Sequence, residues 1–352
     1  MASRKTVKKI AMIVAKLVIV VVVFWFVRDT VLTGFRELRK NPEAFSLDFR
    51  WLVLSGVLYL VGLTSAGFFW YRTLHALGQE ARLFETLRAY FIGHLGKYVP
   101  GKAMVVVLRA GLIRSHRVDT GIAAVSVLFE TLTMMSVGSL WAAGVLAVIH
   151  SEQWLLCLLS LGLMAAAGLP ILPPVFRRIV RLTKAGRSHP VVIQRLEQLG
   201  IGRLAEGFLL MSVTWFFLAM SLWAVLRGMN VDGLELPGQI PLYVATVSLA
   251  MVAGFLSLIP GGVGVRELIL TKLVAPVFGG FVAISSAVLL RLVWLGAELI
   301  LSGVLYLAGL RKSQTISSHQ PQSSPVTPPS PSPSNSPPTT PPNNDASRAS
   351  RD

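Results

Sequence analysis

Charge is what this sequence has least of. Asp, Glu, Lys and Arg together make up only 14% of the 352 residues, against 53% hydrophobic, and the mean hydropathy is +0.64. That composition excludes an ordinary water-soluble domain. Acidic residues are the scarcer sign, 17 against 33 basic ones, which leaves a net charge of +16. In a soluble chain such an excess points to nucleic acid; in one this apolar it points to basic cytoplasmic loops facing anionic headgroups, and no nucleic-acid partner is expected. Cys157 is the single cysteine, which excludes an internal disulfide and a Cys-based metal site. The six histidines show no H-x-x-x-H or H-E-x-x-H spacing, so no catalytic zinc is expected. A G-x-x-x-x-G-K-[ST] loop is absent as well, so no nucleotide is expected, nor any other cofactor.

What is present is a series of long apolar runs. A bilayer core of about 30 Å needs about 20 apolar helical residues. The first run, 10–27, is interrupted only by Lys16 and is followed by no small-residue cleavage site, so it reads as an uncleaved anchor. Further spans fall near 51–71, 119–149, 154–173, 204–226, 240–259 and 281–310, about seven in all. The runs are too long and continuous for outer-membrane strands. The fold class is therefore an all-α polytopic membrane protein. Arg177, Arg178, Arg181, Lys184, Arg187, Arg195 and Arg203 make 177–203 the strongest basic loop, an even number of spans from the basic N-terminus. Both are placed in the cytoplasm, although Arg28, Arg36, Arg39, Lys40 and Arg50 in 28–50 run against the pattern. From residue 313 the composition changes to ten prolines and eleven serines in forty residues. Such a segment buries too little to offset its chain entropy and is expected to be disordered, leaving 1–312 as the membrane domain.

Two apolar stretches do not read as ordinary spans. In 89–113, Gly96, Pro100 and Gly101 sit beside Lys97 and Lys102; in 253–274, Pro260, Gly261, Gly262 and Gly264 precede Arg266 and Glu267. Proline removes a donor and clashes with the preceding turn, and glycine lets the chain reverse, so each stretch is expected to break into a re-entrant hairpin. Aligning Pro100 with Pro260 brings other features into register. Each break is followed by a half-helix carrying an arginine, Arg109 or Arg266, and then by a long span carrying a charge, Glu130 or Arg291. The local texture also matches, GIAAVSVLFE at 121–130 against VAISSAVLLR at 282–291. The pattern reads as an internal duplication, the pointer to a transporter's central site.

Charges inside a bilayer need partners or a wet cavity. Arg291 and Glu298, seven residues apart on one helix, are too far apart to pair directly. A Glu130–Arg291 pair across the two repeats is the simplest expectation. Half-helices beginning near Ala103 and Val265 would aim unpaired N–H groups at an anion, reinforced by Lys97, Lys102, Arg109 and Arg266. The most available anion is a lipid phosphate. Glu130 and Glu298 are the candidate proton carriers.

At these same residues, GKYVPGKAMVVVLRAGLI (96–113) and LSLIPGGVGVRELIL (256–270), the chain resembles the lysylphosphatidylglycerol synthase transmembrane region, also called the flippase-like integral membrane family. The resemblance covers roughly 10–310. It implies a multi-pass protein of a prokaryotic cytoplasmic membrane that moves an aminoacylated or otherwise modified lipid between leaflets. Pro100, Gly101 and Arg109 match the first signature; Pro260, Gly261, Gly262, Gly264, Arg266 and Glu267 match the second, and Arg291 the arginine of the following helix. Members that make lysyl-lipid carry a soluble transferase domain after the membrane region, where this chain has its Pro/Ser-rich tail. Aminoacyl transfer is therefore not expected, and a separate lipid-modifying enzyme becomes a candidate partner. Two other readings stand beside the flippase: a membrane-embedded transferase acting on a lipid-linked substrate, and a non-transporting scaffold recruited through the tail. The first would need an acidic base, for which the loops offer only Asp29, Asp48, Asp119 and Asp232.

Overall fold

The computed structural model describes residues 47–98, 103–115, 117–149, 154–182, 194–196, 199–257, 262 and 264–318. The anchor expected at 10–27, the residues Pro100, Gly101, Lys102, Pro260 and Gly261, and the chain beyond 318 lie outside them. By its contacts the chain divides into two units, 1–309 and 310–352; of the second, only the helical residues 310–318 are described.

Among the described residues the secondary structure is helical throughout, apart from one isolated bridge between Ser115 and Val118. The helices are α1 (Phe49–Ala76), α2 (Leu83–His94), α3 (Ala103–Ile113), α4 (Thr120–Ile149), α5 (Trp154–Gly168), α6 (Pro173–Leu182), α7 (Ile201–Gly228), α8 (Ile240–Leu256), α9 (Val265–Phe278) and α10 (Gly280–Ser318). Four contain apolar stretches of 28 to 30 residues, Phe49–Ala76, Thr120–Val148, Ile201–Gly228 and Gly280–Gly309. At 1.5 Å per residue each exceeds the hydrocarbon core by roughly 10 Å. Their outward residues match the solvent they are built for: Val53, Leu209, Ile300 and Val304 are 57 to 72% exposed, an apolar belt that water would not tolerate but lipid does.

Of the six apolar runs that fall among the described residues, four form full-length helices. The run at 154–173 ends as a helix at Gly168, followed by a 3-10 turn, Leu169–Ile171, containing Pro170, and by α6, which starts at Pro173. Proline here ends one helix and opens the next, so 15 residues, about 22 Å, are all that α5 supplies. Helix α8 has 17 residues, about 25 Å.

Local sequence explains the starts. Asp48 caps α1 by accepting the Arg50 N–H at 2.9 Å, and Asp119 caps α4 by accepting the Ile122 N–H at 2.9 Å. Polar side chains within the apolar helices are satisfied internally: the hydroxyls of Thr73, Thr133 and Ser139 donate to the carbonyls one turn back.

Helix α1 packs along α7, and α4 packs on α5, α7 and α8. Three buried tryptophans fix these contacts, each indole N–H finding an acceptor on another helix. Trp70 of α1 donates to Ser126 Oγ of α4 at 2.9 Å, Trp215 of α7 to the Met134 carbonyl of α4 at 3.0 Å, and Trp294 of α10 to Ser221 Oγ of α7 at 2.8 Å. Small residues let the backbones approach, as at Gly62, where a Cβ would stand 3.1 Å from the Thr214 carbonyl oxygen. Against this bundle lie two short helical hairpins, α2 with α3 and α8 with α9.

Candidate functional site

The half-helices begin where the proline–glycine breaks require, α3 at Ala103 and α9 at Val265. In the first hairpin, α2 ends at His94 and tightens into a 3-10 turn, Leu95–Tyr98. Gly93 and Gly96 lie against the returning helix so closely that a Cβ on Gly93 would stand 3.0 Å from the Arg109 backbone nitrogen, and one on Gly96 2.9 Å from that of Val105. No other residue type permits this approach.

The approach buries Arg109, whose side chain is enclosed on every side. Its Nη1 donates to Glu130 Oε2 at 2.7 Å, its Nη2 stands 3.1 Å from His94 Nδ1, and its guanidinium lies 3.8 Å from the centre of the Tyr90 ring. Arg109 and Glu130 are 2% and 1% exposed. Next to them is a second buried acid, Glu298 of α10, which accepts from Lys97 Nζ and from the Tyr59 hydroxyl. Tyr59 is stacked on Trp294 with ring centres 4.5 Å apart.

The second hairpin turns with Gly262 at φ 66° and Gly264 at φ 83°, left-handed backbone that favours glycine. Glu267, three residues on, accepts the Gly264 N–H at 2.7 Å through Oε2 and a donor from Arg291 through Oε1. The positive end of α9 is thus closed by the chain's own carboxylate. That corrects the expectation of a bare helix end aimed at an anion; the start of α3 adjoins residues outside the described set.

The expected Glu130–Arg291 pair does not form either. Glu130 pairs with Arg109 and Arg291 with Glu267, so each charge on a long helix is answered by the half-helix that precedes it in the chain. The two repeats carry the same pair with its signs exchanged, arginine on the half-helix and acid on the long helix in the first, and the reverse in the second. GIAAVSVLFE and VAISSAVLLR indeed occupy equivalent places at the starts of α4 and α10.

Arg266 is the exception. Among the described residues no carboxylate pairs with it, and its Nε is closed off without a hydrogen-bond partner. The side chain runs over Gly254 and Gly262, where an added Cβ would stand 2.6 Å from its Cγ and 2.7 Å from its Nε respectively. It lines a cavity of about 40 Å³ together with Tyr98, Glu267, Arg291, Trp294 and the apolar face of α8. That volume exceeds what one water needs and suits a small polar group. Among the described residues of the cluster around the hairpins, four cations, Lys97, Arg109, Arg266 and Arg291, face three carboxylates, Glu130, Glu267 and Glu298. Among these, one positive charge is left over.

The family model for the lysylphosphatidylglycerol synthase TM region matches residues 13–302, most of the chain and both hairpins. The chain belongs to this family. No curated protein matches it. As a lysylphosphatidylglycerol synthase TM-region protein it is a multi-pass membrane protein, and its family relates it to membranes and lipids.

Of the site residues read from sequence, the structure brings together Lys97, Arg109, Glu130, Gly262, Gly264, Arg266, Glu267, Arg291 and Glu298; Pro100, Gly101, Lys102, Pro260 and Gly261 are outside the described residues. Sequence reasoning passed over Tyr59, Tyr90, Gly93, His94 and Gly254. A signal existed for two of them: Tyr90 and His94 are four apart, on one face of α2, and their rings stack with centres 5.9 Å apart. Two of the four loop acids considered as a transferase base, Asp48 and Asp119, are engaged as helix caps.

Proposed function

We propose that this protein is a transporter, not an enzyme, and moves a phosphate-bearing lipid or lipid-linked substrate between leaflets, taking the headgroup at Arg266. The observation that carries this reading is the Arg266 guanidinium, which no carboxylate among the described residues pairs, on the wall of a cavity inside a membrane helix bundle. Arg266 is half-buried, a cation drawn away from water without a described counter-ion is costly, and a phosphate oxygen would supply an acceptor in the fork geometry that arginine prefers. Arg291, held by Glu267, stands on the same wall and fixes its polarity. The broken hairpins support the same reading, since interrupted helices at membrane depth are the usual material of transport sites. The basic residues of 177–203, among them Arg178 and Arg181 exposed on α6, favour a cytoplasmic placement of that loop and of the N-terminus in a prokaryotic inner membrane.

The test is binding of dioleoyl phosphatidylglycerol to the purified chain by native mass spectrometry at fixed salt. Arg266→Ala is expected to weaken binding about tenfold or more, the loss of a charge-assisted contact of roughly 1.5–3 kcal/mol. Arg266→Lys is expected to recover part of it, and Arg178→Ala to change nothing. If Arg178→Ala loses as much affinity as Arg266→Ala, the binding is diffuse surface electrostatics and the site is not at Arg266.

A further inference from the structure

His94 of α2 lies between two buried acids, Glu130 of α4 and Glu298 of α10, and takes no part in the anion site at Arg266. The chemistry of its neighbours assigns its tautomer. A guanidinium only donates, so Arg109 Nη2, 3.1 Å away, donates to His94 Nδ1, and the neutral ring carries its proton on Nε2. Among the described residues that Nε2 is buried without a hydrogen-bond partner, 3.7 Å from Glu298 Oε1, and Glu298 Oε2 is likewise buried and unpartnered. A further proton can enter the imidazole only at Nδ1, the lone pair that Arg109 occupies. The bound proton and the Arg109–His94 hydrogen bond therefore exclude each other.

Every element around the ring contributes charge or a titratable group. Tyr90 stacks on it from α2 itself, Lys97 and Tyr98 follow it in the 3-10 turn, Arg109 comes from α3, and Glu130 of α4 lies behind Arg109. Arg266 of α9 is within electrostatic reach, Glu298 is across on α10, and Tyr59 of α1 is bonded to that same carboxylate. Three cations, Lys97, Arg109 and Arg266, thus oppose a charge on His94. An anion bound at Arg266 cancels one of them.

We propose that His94 binds a proton together with the anionic headgroup, so that loading of the Arg266 cavity takes up a proton and displaces Arg109 from the imidazole. The proposal rests on the anion reading of Arg266 and deepens it by naming the coupled ion. The proton adds to the Nδ1 lone pair to give an imidazolium, and nothing else is oxidised, reduced or cleaved. Withdrawing the Arg109 guanidinium from His94 turns its side chain and loosens its hold on Glu130. Reciprocity requires that whatever the proton does for the anion, the anion does for the proton.

The experiment uses the full chain in mild detergent, with dioleoyl phosphatidylglycerol titrated into phosphatidylcholine micelles between about pH 4 and 8, a range that spans imidazole chemistry. This lipid is a phosphodiester whose own charge does not change there. Affinity is expected to rise as pH falls, by a factor within the roughly 5–150-fold usual for coupled sites. In weak buffer, binding is expected to take up as much as one proton per lipid. His94→Asn keeps an oxygen where Nδ1 accepts from Arg109 but cannot carry the proton, so its affinity is expected to stay at the wild type's high-pH value throughout. A His94→Asn variant that keeps the wild-type pH dependence, or wild-type binding with no proton uptake, overturns the proposal. Should the His94→Asn variant fail to fold, the proton-uptake measurement on the wild type decides alone. Arg266→Ala separates the two claims: pH-independent wild-type binding that Arg266→Ala abolishes sinks the coupling and leaves the anion site standing, whereas binding unaffected by Arg266→Ala sinks the anion site itself.

Discussion

The two broken hairpins are built alike and finished differently. In each, a glycine of the incoming helix, Gly93 or Gly254, makes room for an arginine of the returning one, Arg109 or Arg266. Arg109 then meets a carboxylate, an imidazole and an aromatic face, while Arg266 meets glycine backbone and a cavity. The acid that would have answered Arg266, its neighbour Glu267, is turned to Arg291 and to the start of its own helix. A duplicated element has thus been neutralised in one copy and left one charge short in the other. The first copy reads as a fixed strut with a titratable ring beside it, and the second as the place where something anionic completes the structure.

The largest effect that could break this contrast belongs to Arg109. Arg109→Leu strands Glu130 at 1% exposure, with Tyr90 and Thr131, at 3.3 and 3.2 Å, its remaining hydrogen-bond partners among the described residues. A cost of about 3–5 kcal/mol is expected, the range for one partner removed from a buried pair. Arg109→Leu combined with Glu130→Gln is expected to recover much of it, because no buried charge then stands alone. Thermal unfolding in detergent measures both, and a double variant no better than the single one would show that Glu130 is not held by Arg109.

A smaller effect separates the glycines. An added Cβ at Gly93 meets the Arg109 backbone at 3.0 and 3.2 Å as well as its Cγ, so the whole of α3 would have to move. At Gly254 it meets only side-chain atoms of Arg266, which can swing aside. Gly93→Ala is therefore expected to cost about 1–3 kcal/mol by overpacking and Gly254→Ala less than about 1 kcal/mol. Equal melting temperatures for the two variants would mean that the hairpins are packed alike after all.

Much of this was legible in the sequence, and the part that was not has a definite cause. Pro-Gly breaks are local signals, so the half-helix starts at Ala103 and Val265 could be read directly, as could the matching textures at 121–130 and 282–291. Which charge meets which is not local: it depends on how the half-helices and long helices meet in three dimensions, and a chain read in one dimension makes Glu130 and Arg291 look like natural partners. The capping role of Glu267 was within reach, since a glycine three residues before a glutamate at a helix start is a capping spacing. So was the short α5, given Pro170, Pro173 and Pro174. The pairing has a direct check. With separate partners, Glu130→Gln and Arg291→Gln are expected to add to within about 0.5 kcal/mol, and a larger coupling in the double-mutant cycle would restore the cross-repeat pair.

The smallest expected effect is the one that discriminates best. In the absence of lipid, Arg266→Gln removes a cation that no carboxylate of the described chain answers, so it relieves desolvation and breaks no ion pair. Its effect on the lipid-free melting temperature is expected to lie near zero or slightly upward, against the large loss for Arg109→Leu at the equivalent place in the other repeat. Added lipid reverses the order. A ligand at about a hundred times its Kd stabilises the state that binds it by about 2.7 kcal/mol, and the wild type is expected to show a rise of that kind with phosphatidylglycerol while Arg266→Gln does not. The lipid-free comparison isolates the structural role of each arginine and the lipid-loaded one isolates binding. If Arg266→Gln destabilises the lipid-free protein as much as Arg109→Leu does, Arg266 is a second strut, and the difference between the two hairpins disappears.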